Sequence, residues 1–181
     1  MRAPVRPALV LLGLCALLLL NAAGVAAQAP EAATVCAIQG SGSATTMANR
    51  LVRVEGVVTG AFGGTDIDGF FIQHPGCDAD PATSDGLWIF DGSQDVTVAE
   101  GQRVAVTGRV AEHYGLTEIQ LGKDGLEILE SAPTAVEATP LPALPQDPTA
   151  AAALLEAFEG MRVSLPIQRV IGATNGYGET Y

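Results

Sequence analysis

Two stretches of this chain share the form V-x-V-x-G-x-V, and that pattern restricts the fold more than any other feature. Val52, Val54, Gly56 and Val58 make the first copy, and Val104, Val106, Gly108 and Val110 the second. Alternation places each valine set on one face of a strand, because successive side chains point to opposite sides. A glycine inside such a run marks a bulge or a sharp bend. Two strands of this kind predict a strongly coiled sheet, and small closed barrels need that bending. The first strand is expected over residues 50–59 and its counterpart over 104–110.

Between them, residues 68–92 read as a β-hairpin with a long connection. Residues 69–73 and 86–90 are short runs of aromatic and branched side chains, separated by a Gly/Pro/Asp loop. The segment 91–100 is too short and too strand-like for a helix. After the turn His113-Tyr114-Gly115, a further strand is expected over 116–121, and 126–129 can add a closing edge. Ahead of the first strand, residues 29–46 are small and polar, with one short strand expected at 35–39. Five short strands with closely spaced turn signals favour an all-β barrel or sandwich over an α/β scheme.

The composition shifts at residue 131. Five prolines fall within 131–148, as in a semi-rigid extended linker. Asp147 is placed to cap a helix with Pro148 in its first turn, running over 150–159 and stopped by Gly160. An internal echo follows. Glu100-Gly101-Gln102-Arg103-Val104 matches Glu159-Gly160-Met161-Arg162-Val163 as E-G-x-R-V, so a second β unit is expected to begin, with Met161, Val163, Leu165 and Ile167 alternating toward a core. Too few residues remain to complete it, which predicts the front part of a longer protein. The layout is therefore a leader at 1–27, a barrel domain at 28–130, a linker at 131–148, and a helix with an incomplete β unit at 149–181.

The leader is a secretory signal peptide. Arg2 and Arg6 form a basic start, residues 9–20 are apolar, and Val25 and Ala27 supply small residues for a cut after Ala27. Cys15 leaves with it. Leu14 stands where a lipoprotein signal needs a small residue, and the apolar run is marginally short for an uncleaved anchor. The expected location is secreted, with no membrane association after cleavage. Beyond the leader, seven basic residues face twenty acidic ones, a formal charge of −13. Such a field opposes non-specific association with nucleic acid or anionic lipid. In an oxidising compartment the two remaining cysteines, Cys36 and Cys77, are expected to pair. That bond would tie the lead-in to the hairpin loop. The rival reading, His74 and Cys77 as metal ligands, offers two ligands without a second pair and falls short of a zinc site.

Several residue runs resemble the amino-terminal part of secreted bacterial nucleases whose catalytic domain is of the endonuclease/exonuclease/phosphatase type. They are Ile38-Gln39-Gly40-Ser41-Gly42, Val54-Glu55-Gly56-Val57-Val58-Thr59, Gly69-Phe70-Phe71-Ile72-Gln73, Asp80-Pro81-Ala82-Thr83-Ser84-Asp85-Gly86, Val106-Thr107-Gly108-Arg109-Val110 and Tyr114-Gly115-Leu116-Thr117. Together they cover most of residues 35–121. The resemblance implies a small five-stranded OB-like barrel assigned to nucleic-acid binding. It also implies that Phe158-Glu159-Gly160-Met161-Arg162-Val163 leads toward a catalytic domain lying beyond Tyr181, where the acidic metal ligands, Asn and His would be. No catalytic residue and no cofactor is expected in these 181 residues, and a divalent metal only in that further domain. Residues 172–181 keep only Asn175 and Tyr177-Gly178-Glu179 of the longer family pattern.

An OB barrel binds single strands by stacking bases on aromatic side chains beside a track of positive charge. Phe70, Ile72, Leu87 and Ile89 are expected inside the barrel, leaving Phe71, Gln73 and Trp88 partly outside as the ligand face. Equally, Phe71 and Trp88 could be core or cover a barrel end. Arg53, Arg103 and Arg109 lie opposite the valine faces and would share one surface if their strands are neighbours; the plainer reading is a solvated polar face. Tyr114 in the turn completes the nucleic-acid-binding candidates, with single- or double-stranded nucleic acid and the catalytic domain as expected partners. The alternative is a non-catalytic spacer or a protein- or carbohydrate-binding module. Asp66, Asp68, Asp78, Asp80, Asp85 and Asp91 lack the spacing of a calcium loop and fit turn chemistry better. Ser41, Ser43, Ser84, His74 and His113 form no hydrolase triad.

Overall fold

A computed structural model describes residues 29–62, 68–92, 94, 96–167, 172–174 and 176. The leader expected at 1–27, Asp66, Asn175 and the run from Tyr177 to Glu179 lie outside them. In chain order the elements are β1 (Glu31–Ala32), α1 (Val35–Gln39), β2 (Leu51–Ala61), β3 (Gly69–Gln73), β4 (Gly86–Phe90), β5 (Arg103–His113), β6 (Leu116–Glu130), β7 (Thr139–Pro140), α2 (Pro148–Glu156) and β8 (Val163–Ser164). Among the described residues no helix is long and apolar enough to cross a membrane.

Strand pairing closes a five-stranded barrel. The order runs β2-β3-β4-β6-β5, and β5 pairs back onto β2. All pairs are antiparallel except β4 with β6, which is parallel. This is the expected all-β, OB-like barrel. Its two valine strands are neighbours: Val54 stands opposite Val106 and Gly56 opposite Val104. Val52, Val54, Val58, Val104, Val106 and Val110 all point into the core, where Phe70, Ile72, Leu87, Ile89 and Ile119 meet them.

The bends fall close to the glycines. β2 shifts register between Val58 and Gly60, and β5 between Val106 and Gly108. Gly108 has no room for a side chain, since a Cβ there would lie 2.3 Å from the Gln120 carbonyl oxygen. The barrel closes tightly only because that position is bare. Residues 126–129 are a continuation of β6 and not a separate edge strand. Thr107 alone spans the extra residues 122–125 of β6, with Asp124 at φ 56° in their midst.

The lead-in differs from the expected strand. Residues 35–39 form α1, because Thr34 caps it, its Oγ1 accepting from Ala37 N at 3.2 Å, and Gly40 ends it at φ 70°. Val35 and Ile38, three residues apart on one helical face, join the barrel core. Cys36 and Cys77 form the expected disulfide, with Cα atoms 6.0 Å apart. It joins α1 to the β3–β4 loop and takes up the sulfur that a metal site with His74 would need. In that loop the aspartates serve turns. Asp78 accepts from Asp80 N at 2.9 Å, Asp80 from Ala82 N at 2.9 Å and Asp85 from Gly76 N at 2.8 Å.

The proline-rich segment lies against the barrel from its start, with Thr134 N donating to Gly101 O at 2.8 Å. Asp147 caps α2 as expected, accepting from Ala150 N at 2.8 Å. The chain then straps over the barrel. Ser84 Oγ donates to Glu159 O at 2.6 Å, Thr117 N to Glu159 Oε1 at 3.0 Å, and Arg162 N to Gln73 Oε1 at 3.0 Å. Burial pushes the Glu159 carboxyl above its usual range, opposed in part by the Thr117 N–H. The sequence echo encodes a shared turn: Gly101 and Gly160 both take positive φ, 87° and 67°. The expected second core is absent among the described residues. β8 spans two residues paired in parallel with β7, and Leu165 and Ile167 are exposed.

Candidate functional site

The hairpin presents its non-core side chains in rows across three strands. Phe71 of β3 pairs with Trp88 of β4, which pairs with Glu118 of β6. In the adjoining row Gly69 pairs with Phe90, and Phe90 with Gln120. Alternation within each strand sends both rows outward, since Phe70, Ile72, Leu87 and Ile89 occupy the core side. Cross-strand neighbours on one sheet face are within contact distance, so each row is a continuous strip of side chains.

These rows floor a cleft of about 440 Å³. One wall is aromatic. Phe71 and Trp88 ring centroids are 4.6 Å apart, and Phe62, at the end of β2, sits 6.0 Å from Phe71 and 6.2 Å from Trp88. The edge-to-face contact of Phe62 and Phe71, with planes at 89°, matches the favoured arrangement of aromatic quadrupoles. Trp88 is placed by a gap in the next strand. A Cβ on Gly69 would lie 2.4 Å from Trp88 Cζ2, so the indole lies over the bare backbone there. The other wall comes from His113 at the end of β5 and from Leu116, Glu118 and Gln120 of β6.

Glu118 is the chemical anomaly of the cleft. It is only 4% exposed, and its Oε1 accepts from Gln120 Nε2 at 3.3 Å. No Arg or Lys pairs with it among the described residues. A carboxylate so far from water without a cation is costly unless other donors reach it.

Arg53, Arg103 and Arg109 share the outer face of β2 and β5, as expected from their alternation. They are not a free phosphate track. Arg53 pairs with Glu55 at 2.9 Å and Glu127 at 3.0 Å, and Arg103 with Glu55 at 2.8 Å, while Arg109 Nη1 donates to Asn49 O. Arg53 and then Arg103 hold the Glu55 carboxyl below its usual range. None of the three arginines lines the aromatic cleft.

Among the expected stacking residues, Phe71 and Trp88 come together in the cleft, although Trp88 is 5% exposed rather than partly open. Gln73 does not join them. It points to the same face but is buried beneath the strap, its Oε1 occupied by Arg162 N. Tyr114 stands 98% exposed at the β5–β6 turn, where it and Gly115 both have positive φ, the geometry of a two-residue hairpin. Its ring meets that of His113 edge-on at 4.5 Å. Sequence reasoning missed Phe62, Phe90, His113, Leu116, Glu118 and Gln120. The alternation of Leu116, Glu118 and Gln120 was a usable signal for a shared face, but only the parallel pairing of β6 with β4 shows which face.

No family model and no characterised protein matches this sequence. Similar solved structures include the telomere capping protein Ten1 from Saccharomyces pombe, 11% identical over 57% of this chain and 85% of that one, with a TM-score of 0.38. A chain of the S. pombe Stn1–Ten1 complex is similar at 10% identity and a TM-score of 0.38, over 57% of this chain and 79% of that one. Likeness at that level carries no argument about function. The OB-like assignment rests on the strand order and the closure of β5 onto β2.

Proposed function

We propose that this chain is a non-catalytic OB-like module that binds single-stranded nucleic acid by stacking bases in the Phe62–Phe71–Trp88–Phe90 cleft. The observation that supports it most is position. OB folds take oligonucleotides and oligosaccharides on the face of their second and third strands, flanked by the loops after the first and fourth. Here those strands are β3 and β4, Phe62 opens the β2–β3 connection and His113 leads into the β5–β6 turn. Bases stack on aromatic side chains for about 1–3 kcal/mol each, without needing a fixed sequence.

Charge shapes how such binding works. The cleft wall carries a carboxylate and no arginine, and Arg53 and Arg103 on the other face are paired with glutamates. Bases enter the cleft while the phosphates stay outside, so few counterions are released and affinity is modest. In the same proposal the module belongs to a secreted nuclease and presents substrate to an endonuclease/exonuclease/phosphatase domain elsewhere in the full-length protein. The residue runs between 35 and 121 support that context, and the reading frame downstream of Tyr181 tests it. The second reading is a carbohydrate- or protein-binding module or spacer, favoured by the formal charge of −13 beyond the leader and by Glu118 as a hydroxyl acceptor.

Fluorescence anisotropy of a labelled single-stranded oligonucleotide separates these readings. Phe71→Ala is expected to weaken binding by about 5- to 150-fold, the range of one stacked base. Arg53→Gln, outside the cleft, leaves it within about twofold, as expected for a site that makes few phosphate contacts. Binding of a soluble oligosaccharide, with no affinity for the oligonucleotide at low salt, overturns the nucleic-acid reading in favour of the second.

A further inference from the structure

The cleft holds more than stacking surfaces, and Glu118 determines what kind of ring edge it accepts. We infer that Glu118 makes the site selective for bases that present N–H donors, guanine foremost, and selects against thymine and uracil. This rests on the reading of the cleft as a base-stacking site and adds the substrate class within it.

The geometry carries the argument. Glu118 stands directly across from Trp88 on the neighbouring parallel strand, and adjacent strands lie about 4.8 Å apart. A ring stacked on Trp88 therefore has an edge within reach of the carboxylate. That carboxylate is 4% exposed, lines the cleft, and has an amide, not a cation, as its partner. Ionised, it only accepts hydrogen bonds. Guanine offers N1–H and the N2 amino group side by side, two parallel donors for two carboxylate oxygens. Cytosine and adenine each offer one exocyclic amino group. Thymine and uracil have a single N3–H between two carbonyl oxygens, and those oxygens face the carboxylate with like partial charge. In single strands the Watson–Crick edges are free to be read in this way. Gln120, with both a donor and an acceptor, completes the polar edge without altering the ranking.

The cleft also orients the strand. A carboxylate in the cleft repels phosphate, so the base points in and the backbone stays outside.

The test uses thymidine 11-mers that carry one central dG, dC, dA or dT, titrated into the purified protein and read by anisotropy. The expected order is dG tightest, dC and dA intermediate, and all-dT weakest, with about 5- to 150-fold between the extremes, the worth of one good bidentate contact. Glu118→Gln keeps the shape and one acceptor but adds a donor, and is expected to compress that spread to within about threefold while leaving all-dT binding intact or tighter. Circular dichroism confirms that the variant is folded, and Arg53→Gln, outside the cleft, is the control expected to retain the order. Equal binding of all four oligonucleotides, or an unchanged order in Glu118→Gln, overturns the selectivity while the stacking site stands. Absence of binding to every oligonucleotide by the folded protein overturns the site reading itself, and so does Glu118-dependent binding of an oligo-arginine peptide in their place.

Discussion

Reduction of the Cys36–Cys77 bond removes a cross-link between residues 41 apart in sequence. In the chain-entropy model a loop of that size restricts the unfolded chain by about 4 kcal/mol at 25 °C. The native contacts should survive the change, because Cys36 remains packed beside Val35 and Ile38 and the loop keeps its aspartate-capped turns. Whole-domain stability is typically about 5–15 kcal/mol, so the loss is a large share of it. Urea unfolding of oxidised and reduced protein measures it directly, with m about 1–3 kcal/mol/M predicting a midpoint lower by about 1.3–4 M. Hydrogen exchange should find α1 and residues 74–85 opening first in the reduced form. A loss below about 1 kcal/mol would refute the reasoning, since the two segments would then stay close without the cross-link.

Three further outcomes follow from packing and charge. Gly69→Ala places a Cβ 2.3 Å from Ile89 O and 2.4 Å from Trp88 Cζ2; overpacking of this kind costs about 1–3 kcal/mol, measured by thermal melting, and a red-shifted emission of the single tryptophan should report its displacement. Ser84→Ala removes the bond to Glu159 O and leaves Gly86 N without its hydroxyl acceptor, an expected loss of about 1–3 kcal/mol in urea unfolding. Burial holds the Glu159 carboxyl pKa above the usual carboxylate range, so its contribution to stability is full below that range and is lost as pH rises through the folded pKa. Glu159→Gln keeps an acceptor for Thr117 N and cannot ionise; its melting temperature relative to the native protein should climb between pH 4 and pH 7, and a pH-independent difference would count against burial as the cause.

Much of the barrel was legible because its signals are local. The valine alternation with its interrupting glycines marks two coiled strands, whose adjacency the β2–β5 pairing adds, and the aromatic runs at 69–73 and 86–90 coincide with β3 and β4. The inside set Phe70, Ile72, Leu87 and Ile89 follows from strand periodicity alone. The short helix α1 was misread because five residues are too few for a helical period to show, and its evidence lies in the caps, Thr34 and Gly40.

The site was harder to read because its parts meet through long-range pairing. Gln73 shares the outward parity of Phe71, yet the strap that covers it arrives about 90 residues later, with Arg162 89 positions away. Glu118 becomes a cleft residue only through the parallel β4–β6 pairing, which no local pattern announces. The arginines lie on one face as their alternation implies, but Glu55 and Glu127 neutralise Arg53 and Arg103 there, Glu127 reaching Arg53 from a different strand, and Arg109 bonds the Asn49 carbonyl.

The central claim, binding by stacking in the cleft and not by a phosphate track, is tested most directly by quenching of Trp88, the single tryptophan, during titration with a single-stranded oligonucleotide at several salt concentrations. The account predicts saturable quenching and a shallow salt dependence, equivalent to about one or two phosphate contacts. Binding without any change in Trp88 emission, with a steep salt slope that Arg53→Gln and Arg103→Gln reduce, would contradict it.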